Sequence, residues 1–413
     1  MNNICAQLIV LMNRILKYFH LGKVGLPEFI VAMYLVLEGY TYWGVPLRLV
    51  FLLLLDFYFL TRQHRKPLNI PIFYVVYVFF VLHEILLWIY VGTPSYMFNV
   101  TVQFALTVGS IAIIGYNLDY EKLINSIYWV AIISMGGLVY HYIVIASGGT
   151  PTPIKLPFLP DPIAEINRYS FEISRPTSFF QEPAAFGQFM LIPLFIALKE
   201  KKVGSIILIA SMMFLSSSTN AIFFAVGMVL LYSLIGRKMK MTNKIVILVL
   251  GIGLIYSVQH FSLFEQGIEK IDNTEFSENV RVVNGYNYVS AMPKQYLILG
   301  IPAANVFDYY MLDPNSFMGS NVIVVEHSLY MTTFWRVLVK YGIIGLFLFL
   351  SMYVAYYKRD KSLLPIMVIL GVQLFSQSTF FDVSQFVFLA TYIYYSNSNN
   401  NQNLIPATNG INI

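Results

Sequence analysis

Arginines and a small set of acid–base groups carry the chemistry open to this chain. Arg175 opens the polar part of "SRPTSFFQEPAAFGQF" (174–189), and Glu182 closes it just before Pro183 and the apolar run "MLIPLFIAL". Arg168 lies a little upstream, while Arg281 and Arg336 belong to a second long polar region. A guanidinium offers a planar fork of donors matched to phosphate oxygens and keeps its charge beside low-dielectric surroundings. In the second region His327 stands next to Glu326. An imidazole takes a proton from an attacking hydroxyl near neutral pH when a carboxylate orients it. A blander reading stands beside each of these. The arginines could simply pair with carboxylates such as Glu172 or Glu278, and His327 could be a hydrogen-bonding residue outside any catalysis. Glu182 could cap the helix that Pro183 begins, or serve as a base or a sugar-binding carboxylate.

What must position these groups is set by composition. Of 413 residues, 57% are hydrophobic and only 11% charged, far from the balance of a soluble chain of this length. Apolar runs long enough to cross a ~30 Å hydrocarbon layer recur along the whole sequence. The expectation is an all-α polytopic membrane protein of about 12 transmembrane helices. The spans fall at 27–43, 45–61, 69–92, 97–116, 124–147, 183–198, 203–217, 218–235, 245–263, 337–357, 362–378 and 381–396, and two of them meet at "SSST". The count is least fixed around 27–61 and 203–235.

Charge orients this arrangement. One set of short connections holds "RQHRK" (62–66), "KEKK" (199–202), "RKMKMTNK" (237–244) and "KRDK" (358–361), together with Arg14, Lys17, Lys23 and Lys122. Most of the 26 Lys and Arg are on that side, so both termini are placed in the cytoplasm. The opposite side has two long outer-face loops, about 148–182 and 264–336, of a length that usually implies a function. They hold Arg168, Arg175, Arg281, Arg336, Glu182, Glu326 and His327.

Three regions follow: an interfacial amphipathic helix at 1–26, a single transmembrane domain with its outer loops at 27–396, and an Asn-rich disordered tail at 397–413. The first residues lack the basic region and small-residue cleavage site of a cleavable signal peptide. The lone Cys5 excludes an internal disulfide framework.

Glu28, Glu38, Asp56 and the adjacent His83–Glu84 fall within the apolar runs, where ionisable groups are costly. Several lie near span ends, and they are read as structural. No zinc-like His/Cys spacing, Gly-rich phosphate loop or Asp-rich Mg²⁺ motif occurs, so neither a metal nor a cofactor is expected. The net charge of +5 is explained by the inner loops, and no nucleic-acid partner is expected.

Four blocks in order carry a resemblance: "RPTSFFQEPAAFGQFMLIPLFIAL", "LSSSTNAIFFAVGMVLLY", "RVVNGYNYVSAMPKQYLILGIP" and "EHSLYMTTFWRVLVKYGIIGLFLFL". The first resembles the Arg-x-x-(Ser/Thr)-x-x-x-Glu-Pro stretch of Wzy-type O-antigen and polysaccharide polymerases and the related O-antigen ligases. The second resembles the Ser/Thr-rich turn and helix that follow there. The third is similar to an Arg-led short helix with a Leu-x-Gly turn, and the last to a His-led helix. Residues 1–150 are only generically similar.

The resemblance implies an inverting, metal-independent glycosyltransferase of the GT-C type in the bacterial cytoplasmic (inner) membrane, its active site facing the periplasm or exterior. Undecaprenyl-diphosphate-linked oligosaccharide would be donor and acceptor, within membrane lipid. A chain-length regulator and a flippase of the same pathway are the implied partners. Arg175 and Arg281 match the diphosphate-binding arginines, with Arg168 and Arg336 near them, and His327 matches the histidine of the outer-loop helix. Glu182 and Glu326 complete the catalytic candidates.

The chain departs from an Arg-x(10)-Gly motif found in some members. Gly187 falls one position too far from Arg175, and Met292 stands where Arg281 would need glycine. A ligase moving finished glycan to lipid A–core or another acceptor uses the same donor chemistry and remains an alternative. A flippase of lipid-linked oligosaccharide is a third reading, disfavoured because polar residues gather in outer loops and no internal repeat is visible.

Overall fold

The computed structural model describes residues 22–34, 36–42, 45–61, 71–91, 117–156, 176–180, 182–235, 280–302, 324–325, 328–329, 331–359 and 363–376, with a few isolated positions between them. Helix dominates. In chain order the helices are α1 (Leu26–Met33), α2 (Leu47–Leu60), α3 (Pro71–Val91), α4 (Tyr120–Ala146), α5 (Pro183–Lys199), α6 (Val203–Leu215), α7 (Thr219–Ile235), α8 (Val280–Ala291), the one-turn α9 (Tyr296–Leu299), α10 (Thr333–Arg359) and α11 (Leu364–Ser376). Two short antiparallel hairpins accompany them: β1 (Thr41–Tyr42) with β2 (Val45–Pro46), and β3 (Val324–Val325) with β4 (Ser328–Leu329). The chain divides into two compact units, one of Met1–Phe51 with Glu121–Asn273 and one of Leu52–Tyr120 with Thr274–Ile413.

In the first unit α5 is the centre, packed against both α6 and α7. Apolar residues all round it, from Phe186 to Leu198, are buried, as expected of a helix with no polar face. Its start is local chemistry: Glu182 is extended (φ −144°, ψ 157°) and Pro183 takes the first helical position, where its missing N–H costs nothing. Its end lies in "KEKK". There Lys201 turns left-handed (φ 57°) and the Lys202 N–H returns to the Ala197 carbonyl at 2.9 Å. The turn between α6 and α7 is the "SSST" stretch. Ser216 Oγ donates to the Met213 carbonyl at 2.7 Å, and Ser218 Oγ accepts from the Ala221 N–H at 3.4 Å. Gly187 faces Ala221 so closely that a Cβ would collide with it, which fixes the crossing of α5 and α7.

The second unit is built on α10, which touches α3, α8, α9 and α11. Gly342 breaks α10 with φ 68° and ψ −171°, so this element is two helices joined end to end. The expected span 337–357 therefore contains a break one turn inside its start. Gly300, after α9, has φ 92° and ψ 178°. A Cβ on Gly300 would strike the Lys340 carbonyl, and one on Gly342 would strike the Ile298 carbonyl. Both backbones can approach because both residues lack Cβ, and both conformations are strained for any L side chain. The Ile301 N–H then donates to the Val339 carbonyl at 3.0 Å.

Most described helices begin and end close to the expected bounds, and one region does not. The run 27–43 is an eight-residue helix, a 3₁₀ turn (Val36–Gly39) and a strand, not one helix. Eight helical residues rise only ~12 Å, short of the ~30 Å needed. Gly39 and Gly44 bracket Thr41 and Tyr42, and Val45 follows; all three favour extended backbone. At the N-terminus residues 22–25 are irregular, and 1–21 lie outside the described residues, as do most of 97–116 and all of 246–263, 381–396 and the Asn-rich tail. Glu38 is described only by its backbone.

Among the described residues, Glu121–Ala146 and Thr333–Ala355 are long and apolar enough to cross a membrane, and α5, α6, Thr219–Leu234, Leu364–Phe375 and Val78–Leu87 are shorter apolar helices. On α3 the exposed residues Val75, Val78, Leu82, Leu86 and Ile89 form one continuous stripe at helical spacing.

Candidate functional site

The segment that follows Arg175 is fastened to α4. His141 Nδ1 accepts the backbone N–H groups of Thr177 and Ser178 at 3.1 and 3.2 Å. Ser178 Oγ donates to the Ser134 carbonyl at 2.7 Å, and the Ile154 N–H donates to the Ser178 carbonyl at 2.8 Å. Ser134, Gly137 and His141 share one face of α4, and a side chain on Gly137 would occupy the place of Ser178 Oγ. Ser178 is held at φ 59°, a conformation that costs ~1–3 kcal/mol outside glycine and persists only when its neighbours impose it. Phe180 then packs on Phe186 and Phe189 of α5, with ring centroids 5.8 and 5.6 Å apart. Local bonds thus fix residues 177–180 between α4 and the start of α5.

Glu182 ends that segment as the residue preceding Pro183. It is exposed, and its side chain makes no capping bond, so its carboxylate is left facing outward at the helix N-terminus. Of its three expected roles, the capping one has no bond to support it.

In the second unit α8 lies on α10. Gly285 packs so tightly on the Trp335 ring that a Cβ would collide with it. Tyr288 is buried in a cluster with Met292, Ile301, Tyr309, Met331 and Val339. Burial, with the Tyr309 phenol beside it, pushes the Tyr288 phenol well above its ordinary range, so it stays neutral and protonated. Arg281 is the second residue of α8 and lies on the same helix face, by register, as Gly285 and Tyr288. Arg336 is half-buried in the first turn of α10, its N–H bonded to the Thr332 carbonyl at 2.9 Å. The helix carrying Arg281 is therefore seated on the one carrying Arg336.

Glu326 and His327 lie outside the described residues, but the strands on either side pair, Val324 with Leu329 and Val325 with Ser328. The helix after them starts only at Thr333, so the expected His-led helix is corrected: a strand separates His327 from it. Val324, Val325 and Leu329 have the preference for extended backbone that matches this pairing. Arg168 and Arg175 also lie outside the described residues.

Some of the buried charges meet in the second unit. Lys340 Nζ meets Glu84 Oε1 at 2.5 Å, and the Tyr341 hydroxyl donates to the same oxygen at 2.6 Å. His83 Nε2 donates to the Leu299 carbonyl at 2.6 Å, and its ring lies 5.0 Å from that of Tyr341. This network ties α3 to both backbones of the close approach between residues 298–300 and 340–342. Asp56 is buried as well and accepts from Ser110 Oγ at 2.5 Å, and Glu28 is buried in α1. The structural reading of these acids thus has named partners for Glu84 and Asp56.

Two groups escaped the sequence reading. His141 was one more polar residue in a long apolar run, and only its spacing from Ser134 and Gly137 hinted at a polar face. Lys340 is the other: its partner Glu84 is far away in sequence, and no local signal points to it. The chain matches no family model and none of the curated proteins.

Proposed function

We propose that the protein polymerises undecaprenyl-diphosphate-linked oligosaccharide repeat units into O-antigen or capsular polysaccharide, by inverting transfer on the outer face of the bacterial cytoplasmic membrane. In this reading the chain crosses the membrane up to about twelve times with both termini inside. Apolar helices among the described residues support it, as does the exposed stripe on α3, which suits lipid better than water.

One observation carries the reading furthest. The backbone next to Arg175 and the helix bearing Arg281 are each held against a long apolar helix, α4 in one case and α10 in the other. Stabilising a departing diphosphate requires guanidinium groups held at a defined depth, and the reading gives that part to Arg175 and Arg281. The phosphate oxygens gain negative charge as the glycosyl bond breaks, and the arginine forks neutralise it. His327, oriented by Glu326, or alternatively Glu182, removes the proton from the acceptor hydroxyl. No metal is needed where arginines provide the positive charge.

Purified protein in liposomes, given lipid-linked repeat units in the presence of chelator, tests this directly. Wild type should build polymer. Arg175→Ala and Arg281→Ala should lower the rate by roughly 10²-fold or more, the scale of losing one preorganised donor to developing charge. Full activity in both variants would overturn the site assignment. The ligase alternative shares every one of these residues and differs only in acceptor, so polymer formed without a lipid A–core acceptor separates the two.

A further inference from the structure

We propose that four aromatic rings on α8, α10 and α11 form a subsite for a sugar ring of the lipid-linked glycan. That the sugar belongs to this glycan rests on the function proposed above; the carbohydrate chemistry of the site does not. The rings follow one another across the three helices. Tyr286 of α8 lies edge-on to Trp335 of α10, with centroids 6.4 Å apart. Trp335 meets Phe334 at 5.1 Å, and Phe334 stacks on Phe375 of α11 at 4.6 Å. The two end rings, Tyr286 and Phe375, are 60% and 54% exposed, so the row is open at both ends. In the expected topology the start of α10 and the end of α11 face outward, the side where a lipid-linked donor is presented.

Polar groups accompany the rings. Thr332 immediately precedes α10, and Gln373 stands two residues before Phe375 on α11; both are almost wholly buried. Thr332 Oγ1 and the Gln373 amide nitrogen have no hydrogen-bond partner among the described residues. Native interiors rarely leave such groups unpaired. A pyranose answers both features. Its slightly positive C–H face packs on the negative face of an aromatic ring. Its hydroxyls offer an acceptor to the Gln373 amide and either kind of partner to the Thr332 hydroxyl. Both orphaned atoms are covered, so seating a sugar takes a rotamer change at a ring, a common event on binding. Rings placed only to face lipid would need no such polar groups beside them, and an acyl chain could pair with neither.

The test is isothermal titration of the full-length protein in lipid nanodiscs with the host's own repeat-unit oligosaccharide, cut from its lipid diphosphate. Wild type should bind it. Tyr286→Leu and Phe375→Leu keep an apolar surface and should each weaken binding roughly two- to tenfold. Thr332→Val should weaken binding by a similar factor without lowering the melting temperature of the sugar-free protein, since it removes an unpaired hydroxyl. No binding by wild type, or equal binding by all three variants, would overturn the proposal. Equal binding with lower melting temperatures of the two ring variants in lipid would show an interfacial belt in its place. If wild type binds through the rings yet makes no polymer from lipid-linked units, the proposed function has failed and the subsite stands. If wild type makes polymer and the ring variants match its rate and affinity, the subsite alone has failed.

Discussion

Removing the Glu84 carboxylate leaves the buried Lys340 ammonium without the anion it touches, and leaves the Tyr341 hydroxyl without its acceptor. Breaking one partner of a buried ion pair costs about 3–5 kcal/mol, whereas replacing both by apolar groups of similar size is often near neutral. Glu84→Ala should therefore lower the melting temperature in detergent sharply, and the double variant Glu84→Leu with Lys340→Met should recover most of the loss. A double variant as unstable as the single one would show that the pair is not the source of the stability. At this scale the sequence was partly legible. Glu84 and Asp56 stood out as ionisable groups within apolar runs, and both are buried. Their partners were not legible, because Lys340 and Ser110 become neighbours only through tertiary packing. His141 was invisible for a similar reason: its two donors are backbone amides, which every residue has.

Elements were easier to read where local chemistry sets them. Pro183 starts α5, the lysine-rich stretch ends it, and the serine-rich turn separates α6 from α7, all close to where residue types alone put them. Hydrophobicity alone misled where it was asked to decide conformation. It could not distinguish a spanning helix from the helix, turn and strand of 27–43, and it carried α10 straight through Gly342. A glycine inside an apolar run looks tolerable until another backbone is found packed against it. Gly300→Ala and Gly342→Ala should each destabilise by at least ~1–3 kcal/mol, since each strains the backbone and meets a carbonyl. By contrast Gly136→Ala on α4 and Gly371→Ala on α11 meet nothing within 4 Å and should be neutral or stabilise by about 0.5–1 kcal/mol. Thermal unfolding of these four variants checks the contrast. Similar losses in all four would mean that the close approach of residues 298–300 to 340–342 has no special part.

For the whole molecule, composition pointed to membrane helices and the loop charges gave an orientation, neither of which depends on knowing any contact. Lys155 lies in the expected outer loop and Lys201 in an expected inner one, and both side chains are exposed. In a Cys5→Ala background, Lys155→Cys should react with a membrane-impermeant thiol reagent in intact spheroplasts. Lys201→Cys should react only after the membrane is opened. The reverse pattern would invert the topology and move the arginine-bearing loops to the wrong side for a lipid-linked donor.

Deleting the gene and resolving the surface glycan by size tests the polymerase reading most directly. A polymerase predicts loss of the ladder, with single repeat units still attached to the acceptor. Loss of all attached glycan while long lipid-linked polymer accumulates would contradict it in favour of a ligase. Single lipid-linked units trapped on the inner face, with none outside, would contradict it in favour of a flippase.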